Sequence, residues 1–67
     1  MVKLTLFDIQ DSNKNDDVFV NTNNISYLTR YVPYPWTMIY FIDGTKIAVK
    51  QSCEQVLKAI KEFKIGV

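Results

Sequence analysis

The chain has 67 residues, 48% of them hydrophobic, and eight Lys and Arg against seven Asp and Glu, a formal net charge of +1. That length suits one domain, 1–67, with too small a core to enclose a deep catalytic cavity, and the near-neutral balance excludes the broad basic field that holds phosphate backbones. With no His and with Cys53 as the single Cys, neither an intrachain disulfide nor a His/Cys zinc cluster can staple the core.

Val2, Leu4 and Leu6 alternate with Lys3, Thr5 and Phe7, which predicts a strand over 2–9 with one face buried. A signal peptide would open with a continuous apolar stretch, and no apolar run approaches the ~20 residues that cross a bilayer, so a cytoplasmic protein is expected. Asp11-Ser12-Asn13-Lys14-Asn15-Asp16 has nothing apolar to bury and reads as a solvated loop. A second short strand follows over 17–21, then a bend at Asn21-Thr22-Asn23-Asn24, whose Asn residues cap their own turns.

From Ile25 to Val32 the alternation predicts a third strand whose inward face the sequence leaves undecided. Val32-Pro33-Tyr34-Pro35-Trp36 must be a connection, because each Pro removes a ladder donor and holds the preceding residue extended. Two alternating runs, 37–42 and 45–50, flank Asp43-Gly44, the strongest short-range signal of a hairpin. A two-residue turn there sets Ile42 opposite Thr45, Tyr40 opposite Ile47 and Met38 opposite Val49 on the expected core side. The other side pairs Phe41 with Lys46, Ile39 with Ala48 and Thr37 with Lys50, an apolar centre edged by lysines.

Ser52-Cys53-Glu54-Gln55 matches a capping box and starts a helix of roughly 12 residues. Cys53, Val56, Leu57, Ile60 and Phe63 share its apolar stripe, while Glu54, Lys58, Lys61 and Glu62 face away. Lys61 and Lys64 suit the negative end of the helix dipole, and Gly66 is the expected stop. The fold expected is α+β: a small antiparallel β-meander of four or five strands with one C-terminal amphipathic helix packed on one face.

Chemistry is thin in this inventory. Acid–base and nucleophilic catalysis need a titrating group beside a partner, and the chain has no His, one Cys and carboxylates placed mostly in turns, so it is read as no enzyme. Asp11, Asp16 and Asp17 lack the ordered spacing and closing Glu of a calcium loop, and a solvated loop explains them; no metal or cofactor is expected. Cys53, first in the helix, invites a reactive-thiol reading, yet its place on the apolar stripe favours packing. Gly44 and Gly66 do not form a phosphate loop.

What remains are the aromatics. Tyr31, Tyr34 and Trp36 on the proline loop, with Ile39, Phe41 and Ala48 on the sheet side away from the helix, form the predicted contact surface of a self-associating interaction or regulatory module. The alternative is a small nucleic-acid binder that uses the aromatic group Tyr27, Tyr31, Tyr34 and Trp36 with Arg30, Lys46 and Lys50 for base stacking and phosphate contact. A homo-oligomer or another protein is the expected partner, nucleic acid the lesser one.

The layout also carries a resemblance. Met1-Val2-Lys3-Leu4-Thr5, Asn21 before Ile25, Pro35-Trp36-Thr37 leading into Ile39, Asp43-Gly44-Thr45-Lys46-Ile47, Val49-Lys50, Ser52 and Glu54-Gln55-Val56 together resemble the small FlbD/SwrD family of flagellar and swarming motility proteins. The resemblance implies a short cytoplasmic, non-enzymatic protein tied to flagellar operons and motor output, with no catalytic or cofactor residue to transfer. Residues 25–63 are also similar to the first part of LytTR-type DNA-binding domains, whose later Arg-containing strand and loop have no counterpart here.

Overall fold

The structure, a computed structural model, describes residues 1–11 and 13–65, the last three of these by backbone alone. The expected places of Phe63 on the helix stripe and of Lys64 at its end therefore lie outside the described side chains, and Gly66 outside the described residues. The described residues form five antiparallel strands and one C-terminal helix, an α+β architecture as expected. The strands divide between two sheets, one of two strands and one of three.

β1 (Val2–Thr5) and β2 (Asp17–Val20) pair with Val2 opposite Val20 and Leu4 opposite Val18. Strand one is shorter than its alternation predicts. After Thr5 the chain turns to a second partner: Leu6 bridges Val49, the Phe7 N–H donates to the Ala48 carbonyl (2.9 Å) and the Lys50 N–H donates to that of Thr5 (2.8 Å). Thr5 and Gln51 reinforce the junction, the Thr5 N–H reaching Gln51 Oε1 at 3.0 Å. Residues 5–7 thus tie the small sheet to the large one, and their backbone groups are satisfied by doing so.

Between β2 and β3, Asn21 Oδ1 accepts the Asn23 N–H and caps a single 3-10 turn, Thr22–Asn24. The larger sheet runs in order β3 (Ile25–Tyr31), β4 (Trp36–Phe41), β5 (Lys46–Val49). Val32 to Pro35 link β3 to β4, with a cis Val32–Pro33 bond and the Tyr34 N–H donating to the Tyr31 carbonyl at 2.7 Å.

The hairpin at Asp43-Gly44 exists, but its register differs from expectation. Thr37 pairs with Val49, Met38 with Ala48, Ile39 with Ile47 and Tyr40 with Lys46, one residue away from the two-residue-turn alignment. The loop has three residues, Ile42, Asp43 and Gly44: the Gly44 N–H donates to the Phe41 carbonyl, the Phe41 N–H donates to that of Thr45, and only Gly44 takes a positive φ (91°). A type I turn followed by a left-handed Gly gives this geometry, whereas a two-residue turn of the expected kind needs Asp43 in the left-handed region too.

One residue of slip turns β4 over relative to β5, whose Ile47 and Val49 keep the expected core side. Ile39, expected on the open side, is 0% exposed, and Thr37 and Val49 are equally buried beside it. Phe41 packs against the same core. Met38 and Tyr40 lie on the outer face with Ala48, and Ile42, also expected to be core, is 68% exposed in the loop.

The core is small: Val2, Leu4, Val20, Ile39, Val49 and Val56 are its buried hydrophobic members among the described residues. Val56 comes from α1 (Cys53–Ile65), which lies against β1, β3 and β4 and so spans both sheets. The capping box forms in both directions, the Ser52 N–H donating to Gln55 Oε1 (2.9 Å) and the Gln55 N–H to Ser52 Oγ (3.2 Å). Leu57, expected on the packed stripe, is instead 51% exposed; among the described side chains, Val56, Ala59 and Ile60 make the helix's contact with the core.

Candidate functional site

The β3–β4 register sorts the aromatic residues. Tyr31 pairs with Trp36 and Tyr27 with Tyr40, and both pairs share the outer face with Met38 and Ala48, away from Ile39 and Val56. Tyr27 and Tyr40 are stacked, ring centroids 4.3 Å apart and planes inclined by 13°, and Lys46 Nζ sits 5.9 Å from the Tyr40 ring centroid. Tyr27 and Tyr40 cover one end of the face. At the other end Tyr31 meets Tyr34 edge to face at 5.6 Å.

A fourth aromatic completes that second cluster. The ring of Phe7 lies 5.0 Å from that of Tyr34, 5.8 Å from Trp36 and 5.9 Å from Tyr31. It comes from the segment that crosses to β5, which puts Phe7 opposite Ala48 on the outer face. Trp36 is consequently half-buried, and its Nε1 is shielded without finding an acceptor among the described residues.

The predicted contact surface is therefore split. Tyr31, Tyr34 and Trp36 are brought together, with Tyr34 the most open of them. Ala48 shares their face but lies beside Phe7. Ile39 and Phe41 belong to the other face, the first fully buried and the second partly, so neither is part of an open surface. Phe7 and Tyr40 join these aromatics from outside the expected set. An aromatic on the polar side of the first strand, just before the Asp8 turn, was the available signal for Phe7.

The cations of the alternative reading do not converge. Arg30 pairs across the sheet with buried Thr37 on the inner face, and its guanidinium lies 3.9 Å from the Glu54 carboxylate. Lys46 is on the outer face over Tyr40. Lys50 Nζ donates to the Lys14 carbonyl (2.7 Å) and to Asn15 Oδ1 (2.9 Å), holding the Asn-rich loop.

The remaining chemical groups serve the fold. Thr37 Oγ1 donates to the Gln51 carbonyl at 2.8 Å and stands 3.4 Å from Cys53 Sγ, so the polar neighbour of the half-buried thiol is a hydroxyl and not a base. Asp8 and Asp11 accept backbone N–H groups two residues on, and Asp16 and Asp17 face Lys14 (3.3 Å) and Lys3 (3.9 Å). Among the described residues no three His, Cys, Asp or Glu side chains gather as a metal site, and no helix is long and apolar enough to cross a membrane. A groove of about 400 Å³ runs between the proline loop and the start of α1, lined by Arg30, Tyr34, Trp36, Cys53 and Glu54 among others.

Comparison with protein families matches the model for FlbD, flagellar and swarming motility proteins, over residues 1–67. No curated protein and no solved structure gives a significant match.

Proposed function

The chain belongs to the FlbD family of flagellar and swarming motility proteins, and we propose that in motility it works as a cytoplasmic, non-catalytic interaction module that associates with copies of itself. Its contact surface in this reading is the outer face of the larger sheet, from Tyr27, Tyr40 and Ile42 to Tyr31, Tyr34 and Trp36. The observation that carries the reading is one of coverage. α1 packs on the inner face, Phe7 covers only the Trp36 end of the outer one, and Tyr27 remains 53% and Ile42 68% exposed. Small domains without disulfides or metals commonly gain their missing burial from a partner.

Charge supports a protein over a nucleic acid as that partner. Arg30 is on the opposite side of the sheet from Lys46, so Arg30, Lys46 and Lys50 supply no single track for a phosphate backbone. The test uses Tyr27→Asp and Ile42→Asp, both at exposed positions. Sedimentation velocity should show weaker self-association, and complementation of a strain lacking the gene should show reduced swarming with an unchanged far-UV spectrum. A wild-type protein that stays monomeric at high micromolar concentration removes the self-association. Swarming unaffected by either variant removes the surface. Oligonucleotide binding that falls steeply with salt would put the nucleic-acid reading in its place.

A further inference from the structure

We propose that two copies of the chain join by pairing β3 antiparallel to β3 across a two-fold axis at Thr29, merging two three-stranded sheets into one of six strands. This gives the self-association proposed above a specific geometry and rests on it. β3 is a margin of its sheet, with β4 on one side and no described strand on the other. Proteins usually blunt such margins with Pro, Lys, acidic residues or brevity. β2 does so, being four residues long with Asp17 in it; β3 runs for seven residues, Ile25 to Tyr31, with Arg30 as its only charge.

The backbone directions define which groups are open. The Tyr31 carbonyl accepts the Tyr34 N–H inside the hairpin, so Tyr31 turns toward β4. Antiparallel strands alternate, which turns Thr29 and Tyr27 toward β4 and leaves Leu28 and Arg30 presenting N–H and C=O outward. The same alternation holds across the sheet: the Phe41 N–H points to β5, and Ala48 and Lys50 point from β5 to the segment after β1.

Those open groups match themselves. With the axis at Thr29, Leu28 exchanges both backbone bonds with the partner's Arg30, and Arg30 with the partner's Leu28, so no like charges are directly opposed. On the outer face Tyr27 comes opposite the partner's Tyr31, which joins the two aromatic faces. Moving the axis to Arg30 sets guanidinium against guanidinium. Moving it to Leu28 carries Arg30 onto Ser26, where the irregularity between Ile25 and Tyr27 breaks the strand's regular spacing. A second copy is thus the occupant that this margin fits.

Arg30→Pro against Arg30→Ala separates backbone pairing from charge, because Pro at position 30 removes an N–H that points away from β4 and is tolerated on such a margin. Wild type and Arg30→Ala should sediment as dimers, and Arg30→Pro should dissociate at least tenfold more readily with its far-UV spectrum unchanged. In a Cys53→Ala background, Thr29→Cys should oxidise to a covalent dimer and Phe19→Cys, on the exposed face of β2, should not. If Arg30→Pro fails to fold, the Thr29→Cys result decides alone, and absence of the covalent dimer overturns the pairing. A dimer that survives Arg30→Pro but is dissolved by Ile42→Asp overturns the β3 geometry and leaves face-to-face association standing. A monomeric wild type overturns both.

Discussion

Asp43 shows how much a single side chain can do at a loop tip. Its Oδ1 accepts the Thr45 hydroxyl at 2.6 Å and the Thr45 N–H at 2.9 Å, and these bonds hold its carboxyl below the ordinary value, the side-chain bond contributing most. A folded-state pKa below the unfolded one means that the ionised form stabilises the fold above the unfolded value, and that this contribution is lost as pH falls through the folded one. Thr45→Val should therefore move the Asp43 carboxyl back up toward the ordinary range, read from its carbon chemical shift during an acid titration; a titration midpoint unmoved by the substitution would show that the hydroxyl is not the cause. Thr37 makes the opposite point about legibility. A hydroxyl residue beside Trp36 and between alternating apolar positions reads as a surface residue, yet Thr37 is 0% exposed because its proton reaches the Gln51 carbonyl, a partner 14 positions away in sequence.

Elements whose signals are local were legible, and those whose meaning depends on counting residues through a turn were not. The capping box formed as written because its partners, Ser52 and Gln55, lie within one helical turn. The Asp43-Gly44 hairpin was legible as an element, but a two-residue and a three-residue turn both place Gly in the left-handed region, so the Asp-Gly pair alone does not separate them. That one residue reversed the assignment of Ile39 and Ile42 between core and surface. Gly44 is accordingly where the element is most sensitive. A Cβ there would meet nothing within 4 Å, so the penalty for Gly44→Ala is that of the backbone alone, with φ at 91°. We expect a loss of about 1–2 kcal/mol in a denaturant titration, and a smaller loss for Gly44→Asn, since Asn enters the left-handed region more readily. Equal losses for the two would place the strain elsewhere.

At the scale of the molecule, two small sheets and one helix share a core of few buried side chains, and what joins them is the crossing of residues 5–7 from β2 to β5. Strand alternation could not announce that crossing, because Phe7 continues the pattern of Lys3 and Thr5 while its ring lies among Tyr31, Tyr34 and Trp36, residues 24 to 29 positions further along. Phe7 therefore acts on both sheets at once: its N–H completes the backbone pairing with Ala48 and its ring closes the aromatic cluster. Phe7→Ala keeps the N–H and removes the ring. The side chain is half-buried, so the loss should be about 1–3 kcal/mol, below the ~3–5 of a fully buried Phe. Because Trp36 is the chain's single Trp, its fluorescence reports the same event separately: with Phe7 gone the indole gains water and its emission should shift to the red before any unfolding. A lowered midpoint without that shift would mean that Phe7 stabilises the junction through β5 alone, whereas a shift without lost stability would mean that the ring merely shades Trp36. Both changes together are what a residue joining the two sheets requires.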